Sequence, residues 1–76
     1  MSESFFTTQD GNSFIVRRGG VVVGNIVYCT VADEYNIYVE TSGTQEQVTY
    51  GAYHIGYAYT FIQAQMKLIA HLNGNS

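Results

Sequence analysis

The sequence predicts an α+β fold: an antiparallel β-meander of four strands, or five, covered on one face by a single C-terminal α-helix. Three observations point there. The run Val21–Val31 is long and rich in β-branched residues, as a strand requires. Two-residue turn signals, Asp10-Gly11 and Gly19-Gly20, separate it from two shorter apolar runs upstream. From about Ala52 the apolar period lengthens from two to between three and four, the spacing of an amphipathic helix.

In order, the strands are expected at about 4–9, 13–18, 21–31 and 36–41, within one domain spanning 1–76. Asp33-Glu34-Tyr35 reads as a tight polar loop before the fourth strand. Residues 45–50 read as a short fifth strand or an irregular lead-in. The helix is expected over about 52–72, with Ile55, Tyr59, Ile62, Met66 and Ile69 recurring at four-three-four-three spacing. Asn73-Gly74-Asn75 closes it as a left-handed cap, and His71 in the last turn complements the helix dipole. Gly56 falls inside this helix, where glycine costs about 1 kcal/mol against alanine, unless the helix begins after it.

Strand parity assigns the faces, because successive side chains alternate. The turns together put Phe5, Phe14, Val16, Val21, Val23, Val27, Cys29, Val31, Ile37 and Val39 on one side, beneath Ile55, Ile62, Met66 and Ile69 of the helix. The other side then carries Phe6, Thr8, Ser13, Ile15, Arg17, Val22, Gly24, Ile26, Tyr28, Thr30, Tyr38 and Glu40, with no second helix to cover it. Gly24 marks an expected bulge in the long strand.

Composition bounds the function. Seventy-six residues make one small domain, of a size that is marginal alone and often helped by oligomerisation. Cys29 is the single cysteine, so no internal disulfide forms, and its place in the run reads as a small buried hydrophobe. A lone cysteine and no basic, apolar leader point to the cytoplasm, the host's if the chain is viral. No apolar run reaches the ~20 residues that span a bilayer, so no membrane partner is expected. The net charge is −3, and Arg17, Arg18 and Lys67 are the whole basic complement, too few for direct nucleic-acid binding.

No catalytic, metal or nucleotide motif appears, and no cofactor is expected. His54 and His71 would lie about 25 Å apart on one helix at 1.5 Å per residue, too far to share a metal, and read as helix-surface residues. Asp33 and Glu34 are adjacent on a loop, where neighbouring side chains diverge. Gly19-Gly20 and Gly24 lack the Lys-Ser/Thr of a phosphate loop. The tyrosines are the distinctive feature: there are seven. Tyr joins apolar area to a hydroxyl and suits interfaces. Tyr50, Tyr53, Tyr57 and Tyr59 read as a contact patch or as the border between core and solvent.

The sequence is therefore read as a non-enzymatic protein-binding module. Its expected contact residues are Phe6, Ile15, Val22, Ile26, Tyr28 and Tyr38, with Asp33, Glu34, Tyr35 and Glu40 as an acidic-aromatic edge suited to a basic partner. The profile, which is very short, mildly acidic, Tyr-rich and without chemistry, resembles small phage-encoded inhibitors such as anti-CRISPR and other anti-defence proteins. That likeness spans the chain as a profile and rests on no residue-level motif. It implies a partner that is a basic-surfaced, nucleic-acid-handling complex. A homo-oligomeric scaffold is the alternative reading, and a small ligand-binding domain or enzyme a further one.

Overall fold

The structure is a computed structural model and describes residues 4–40 and 52–74. Five strands, β1 (Phe5–Asp10), β2 (Ser13–Arg18), β3 (Val21–Cys29), β4 (Glu34–Glu40) and β5 (Ala52–Ala58), precede one helix, α1 (Phe61–Gly74). The strands form one antiparallel sheet in the order β1-β2-β3-β4-β5, and α1 packs against β4, β5 and β3. The α+β meander with a C-terminal helix is thus the observed fold, with five strands.

The turns set the registers. Gly11-Asn12, rather than Asp10-Gly11, is the first hairpin loop: Asp10 pairs with Ser13, and Gly11 has φ 63°. The shift is by whole pairs, so Phe5, Phe14 and Val16 keep the face expected of them. Gly19 and Gly20, at φ 59° and 84°, form the second loop, where two positive φ values favour glycine. Beyond it the ladder slips. Arg17 pairs with Val22 but Val16 pairs with Gly24, which leaves Val23 as a bulge residue.

That bulge overturns the expected faces of β3. From Gly24 onward every side chain is inverted: Ile26 is fully buried under the helix, while Val27 and Cys29 lie on the opposite side, partly exposed. Val21 is exposed too. The strand ends at Cys29, and Thr30–Asp33 form the loop, closed by the Asp33 amide donating to the Cys29 carbonyl (2.8 Å). Val31 sits in this loop, 95% exposed, rather than in the core. Glu34 and Tyr35 belong to β4 rather than to the loop.

Residues 52–58 form a strand, not the first turns of the helix. Tyr53, Ile55 and Tyr57 alternate through a segment that pairs with β4 from Glu40↔Ala52 to Tyr35↔Ala58. The register shifts between Ile37 and Tyr38, leaving Ile55 as a second bulge residue. His54 is therefore a strand residue. Thr60 starts the helix: the Gln63 amide donates to its Oγ1 (3.1 Å) and the Ala64 amide to its carbonyl (3.0 Å). Thr60-Phe61-Ile62-Gln63 has the spacing of a capping box. The segment 45–50 lies outside the described residues, as do Tyr50 and Asn75 of the readings above.

The core is Val16, Ile26, Ile37, Val39 and Ala58 from the sheet with Ala64 and Leu68 from the helix. Phe5, Phe14, Val23, Tyr35, Ile55, Phe61 and Leu72 pack around it. Ile62 and Met66, expected to be core, are instead 69% and 64% exposed. The helix turns Phe61, Ala64, Leu68 and Leu72 inward, a stripe at three- and four-residue spacing. Leu68 lies so close to Gly24 that a Cβ there would stand 2.7 Å from its Cδ2 and 3.0 Å from the Tyr38 carbonyl oxygen.

Candidate protein-binding face

The sheet face away from α1 is built of cross-strand rows. Registers place Thr8, Ile15, Asn25, Tyr38 and His54 side by side across all five strands. The next row is Asp10, Ser13, Val27, Asn36 and Tyr57, and Phe6, Arg17 and Val22 fill the corner beyond the β3 bulge. Opposite side chains in such rows lie ~5 Å apart at Cβ and act as one surface. β4 supplies its longest stripe: Glu34, Asn36, Tyr38 and Glu40 all point outward, because Ile37 and Val39 between them are buried.

Polar contacts order parts of this face. The Arg17 guanidinium donates through Nη1 to Thr8 Oγ1 (3.0 Å). His54 Nε2 lies 3.0 Å from Asn36 Oδ1. The His54 ring also rests against Tyr38, centroids 5.2 Å apart and tilted by 58°. Asn25 Oδ1, in the middle of the central row, is covered by its neighbours and has no hydrogen-bond partner. A shielded acceptor without a donor typically costs about 1–3 kcal/mol.

The residues expected to make contacts divide between the two faces. Phe6 (65% exposed), Ile15, Val22, Tyr38, Glu34 and Glu40 share the uncovered face. Ile26 does not: it is a core residue, inverted by the bulge. Tyr28 and Tyr35 lie on the helix side at the end near the β3–β4 loop. Their rings are 4.9 Å apart, and Tyr35 packs on Phe14 and Phe61. The Tyr28 hydroxyl donates to Asp33 Oδ1 (2.6 Å), which holds the phenol above its ordinary pKa. So this pair braces the loop instead of extending the contact face. Asp33 has φ 56°, a conformation Asp tolerates better than most residues.

Sequence reading missed Asn25, Val27, Asn36, His54 and Tyr57 on this face. The alternation Tyr53-Ile55-Tyr57 signals a strand there, but only the Ile55 bulge puts His54 and Tyr57 on the same face; Gly24 signals the inversion that exposes Asn25 and Val27.

At the other end, Gly56, Tyr57, Ala58, Tyr59, Gln63 and Lys67 line an open hollow of about 320 Å³ between β5 and α1. The Tyr57 and Tyr59 rings meet edge-on at 5.5 Å, and the Tyr57 hydroxyl raises the pKa of the Tyr59 phenol. The Lys67 ammonium donates to the Tyr57 carbonyl (3.0 Å). The three cations lie apart: Arg17 on the uncovered face, Arg18 over the Phe5 ring (5.1 Å) and Lys67 on the helix. Among the described residues, no group of His, Cys, Asp and Glu side chains is placed to hold a metal ion, and no helix is long and apolar enough to cross a membrane.

No protein-family model matches the chain, and no curated protein or solved structure is significantly similar to it.

Proposed function

We propose that this protein is a non-enzymatic binding module that occludes a partner's surface with its uncovered sheet face, the mode of action implied by its resemblance in profile to small phage-encoded inhibitors. The observation that carries the reading is the outward stripe of β4: a carboxylate at each end, Glu34 and Glu40, with Asn36 and Tyr38 between them. At ~3.4 Å per residue the two carboxylates stand about 20 Å apart along one strand, flanked by Asn25 and Val27 on β3 and by His54 and Tyr57 on β5, with Ile15 one strand further out. Fully burying an Ile or Phe side chain is worth about 1.5–3 kcal/mol, so Ile15 and Phe6 supply affinity while the carboxylates select a partner rich in Arg or Lys. A basic-surfaced, nucleic-acid-handling complex in the cytoplasm fits that chemistry.

The test is capture of a stoichiometric partner from bacterial lysate, followed by calorimetric titration against two variants. Tyr38→Ala removes the aromatic centre, and Glu34→Lys with Glu40→Lys reverses both ends. Each is expected to weaken binding at least tenfold, with the charge reversal also abolishing its salt dependence. Absence of any stoichiometric partner, or binding indifferent to both changes, defeats the reading.

A further inference from the structure

The sheet's two outer strands end differently. β5 is guarded: Ile55 bulges out of the ladder, and the Lys67 ammonium occupies the Tyr57 carbonyl. Bulges and lysines are the usual protections of a free sheet edge. β1 has neither. Its six residues pair with β2 without a register break and include no Pro, Gly or Lys. Among the described residues, no strand pairs with its outer edge.

The hairpin fixes which backbone groups are open. A two-residue loop makes Asp10↔Ser13 a hydrogen-bonded pair, and alternation makes Thr8↔Ile15 and Phe6↔Arg17 the next ones. The amides and carbonyls of Phe5, Thr7 and Gln9 therefore point away from β2. Buried or not, these groups seek partners, and a regular unguarded edge is a template for another strand.

We propose that a second copy of this chain pairs its own β1 on this edge, antiparallel about a two-fold axis at Thr7. The segment is self-complementary in that register. Thr7 meets the second copy's Thr7, Phe5 meets its Gln9, and each exchanges amide and carbonyl bonds. Phe6, exposed in the single chain, lies opposite the second copy's Thr8. Asp10 meets Ser4, so no like charges oppose each other. The two sheets become one continuous sheet, and the two uncovered faces become one surface. This goes beyond the partner-binding reading and stands apart from it, because the edge and the face use different groups.

Sedimentation velocity between ~10 and ~200 μM, a range that brackets weak association, tests the proposal on the full chain. The wild type is expected at twice the protomer mass of 8.4 kDa. Thr7→Pro and Gln9→Pro each remove an outward N–H that β2 does not use, a placement edge strands tolerate. Both are expected to weaken the dimer at least tenfold. Met66→Lys on the helix and Tyr38→Ala on the sheet face are expected to leave the mass unchanged. Amide hydrogen exchange on the wild type reads the same edge without substitution: Thr7 and Gln9 should exchange more slowly as concentration rises. The proposal is overturned by a monomer throughout the range, by a dimer that survives both prolines or is lost through Met66→Lys or Tyr38→Ala, or by Thr7 and Gln9 amides whose exchange ignores concentration.

Discussion

The same five strands carry two unlike rows, one behind the other. On the α1 side run Gln9, Phe14, Ile26, Ile37 and Gly56; on the far side run Thr8, Ile15, Asn25, Tyr38 and His54. The first row is closed by Leu68 and Ala64, and its two isoleucines are fully buried. The second alternates apolar and polar groups and has no layer above it among the described residues. With so few fully buried side chains, stability in this domain depends on the helix side. The far side is free to carry polar groups that a core would exclude.

The largest expected effect tests that division directly. Ile26 and Val27 are adjacent in β3 and face opposite ways. Ile26→Ala should lower the unfolding free energy by about 2–5 kcal/mol through lost burial and a cavity. A domain of this length has about 4–11 kcal/mol in all, so much of its margin would go. Val27→Ala should cost under about 1 kcal/mol. Urea melts of both variants decide; equal losses would mean that the faces do not divide as described.

That pair also shows how much of the fold the sequence made legible. The meander, the helix and the faces of β1, β2 and β4 follow from turn chemistry and strand parity. The face of β3 did not. A Gly19-Gly20 turn with unbroken ladders sets Val16 against Val23, and an Asp33–Tyr35 loop sets Val31 against Ile37, whereas the chain sets Val16 against Gly24 and Ile26 against Ile37. Each error shifts the register by an odd number, so the two cancel and only the strand between them is inverted. A bulge adds one residue without any turn signal. Gly24 hinted at one, but only the approach of Leu68 shows why glycine is needed there. The helix start failed differently. The four-three spacing of Ile55, Tyr59 and Ile62 runs across a strand end, a turn and a helix start, and Thr60 was the physical marker that separated them. On the candidate face, Phe6, Ile15 and Val22 were readable because they precede the bulge, and Tyr38 and Glu40 because β4 escaped the inversion.

The close approach of Gly24 to Leu68 gives the next effect. Gly24→Ala forces Leu68 or the β4 backbone to move and should cost about 1–3 kcal/mol, the usual range for overpacking. In a Leu68→Ala background the same change should cost at least about 1 kcal/mol less, since the tightest contact is gone. Chemical denaturation of the double-mutant cycle measures this coupling. Additive losses would show that the helix does not seat against β3 at this point.

A change of opposite sign is expected across the sheet. Asn25 keeps a shielded, unpartnered carbonyl oxygen between Ile15 and Tyr38. Asn25→Val replaces it with a strand-favouring apolar group and should stabilise the domain by about 1 kcal/mol. It should also make the uncovered face more adhesive, seen as a lower solubility limit. A destabilised variant would show that Asn25 has a structural partner, and that the contrast between the rows is weaker than their composition suggests.

The smallest effect lies where the two faces meet, at the β3–β4 loop. The Tyr28 hydroxyl donates to Asp33, and that bond, followed by partial desolvation and the nearby carboxylate charge, raises the phenol's pKa above its ordinary value near 10. A folded value above the unfolded one fixes the sign. The contribution is complete below about pH 10 and disappears as pH climbs through the folded value. Tyr28 is solvent-accessible, so the readout is titration rather than stability. Tyr59 is raised as well, by its hydrogen bond with Tyr57. Ultraviolet absorbance should therefore show Tyr28 and Tyr59 ionising after ordinary phenols. Asp33→Asn should lower the Tyr28 pKa toward the ordinary range and leave Tyr59 late, because Tyr59 owes its shift to Tyr57 and, in smaller part, to desolvation and Glu34. If Asp33→Asn leaves the late-titrating population unchanged, the β3–β4 loop is not held by this bond, and the Tyr28–Tyr35 ring contact alone would have to brace that end of the sheet.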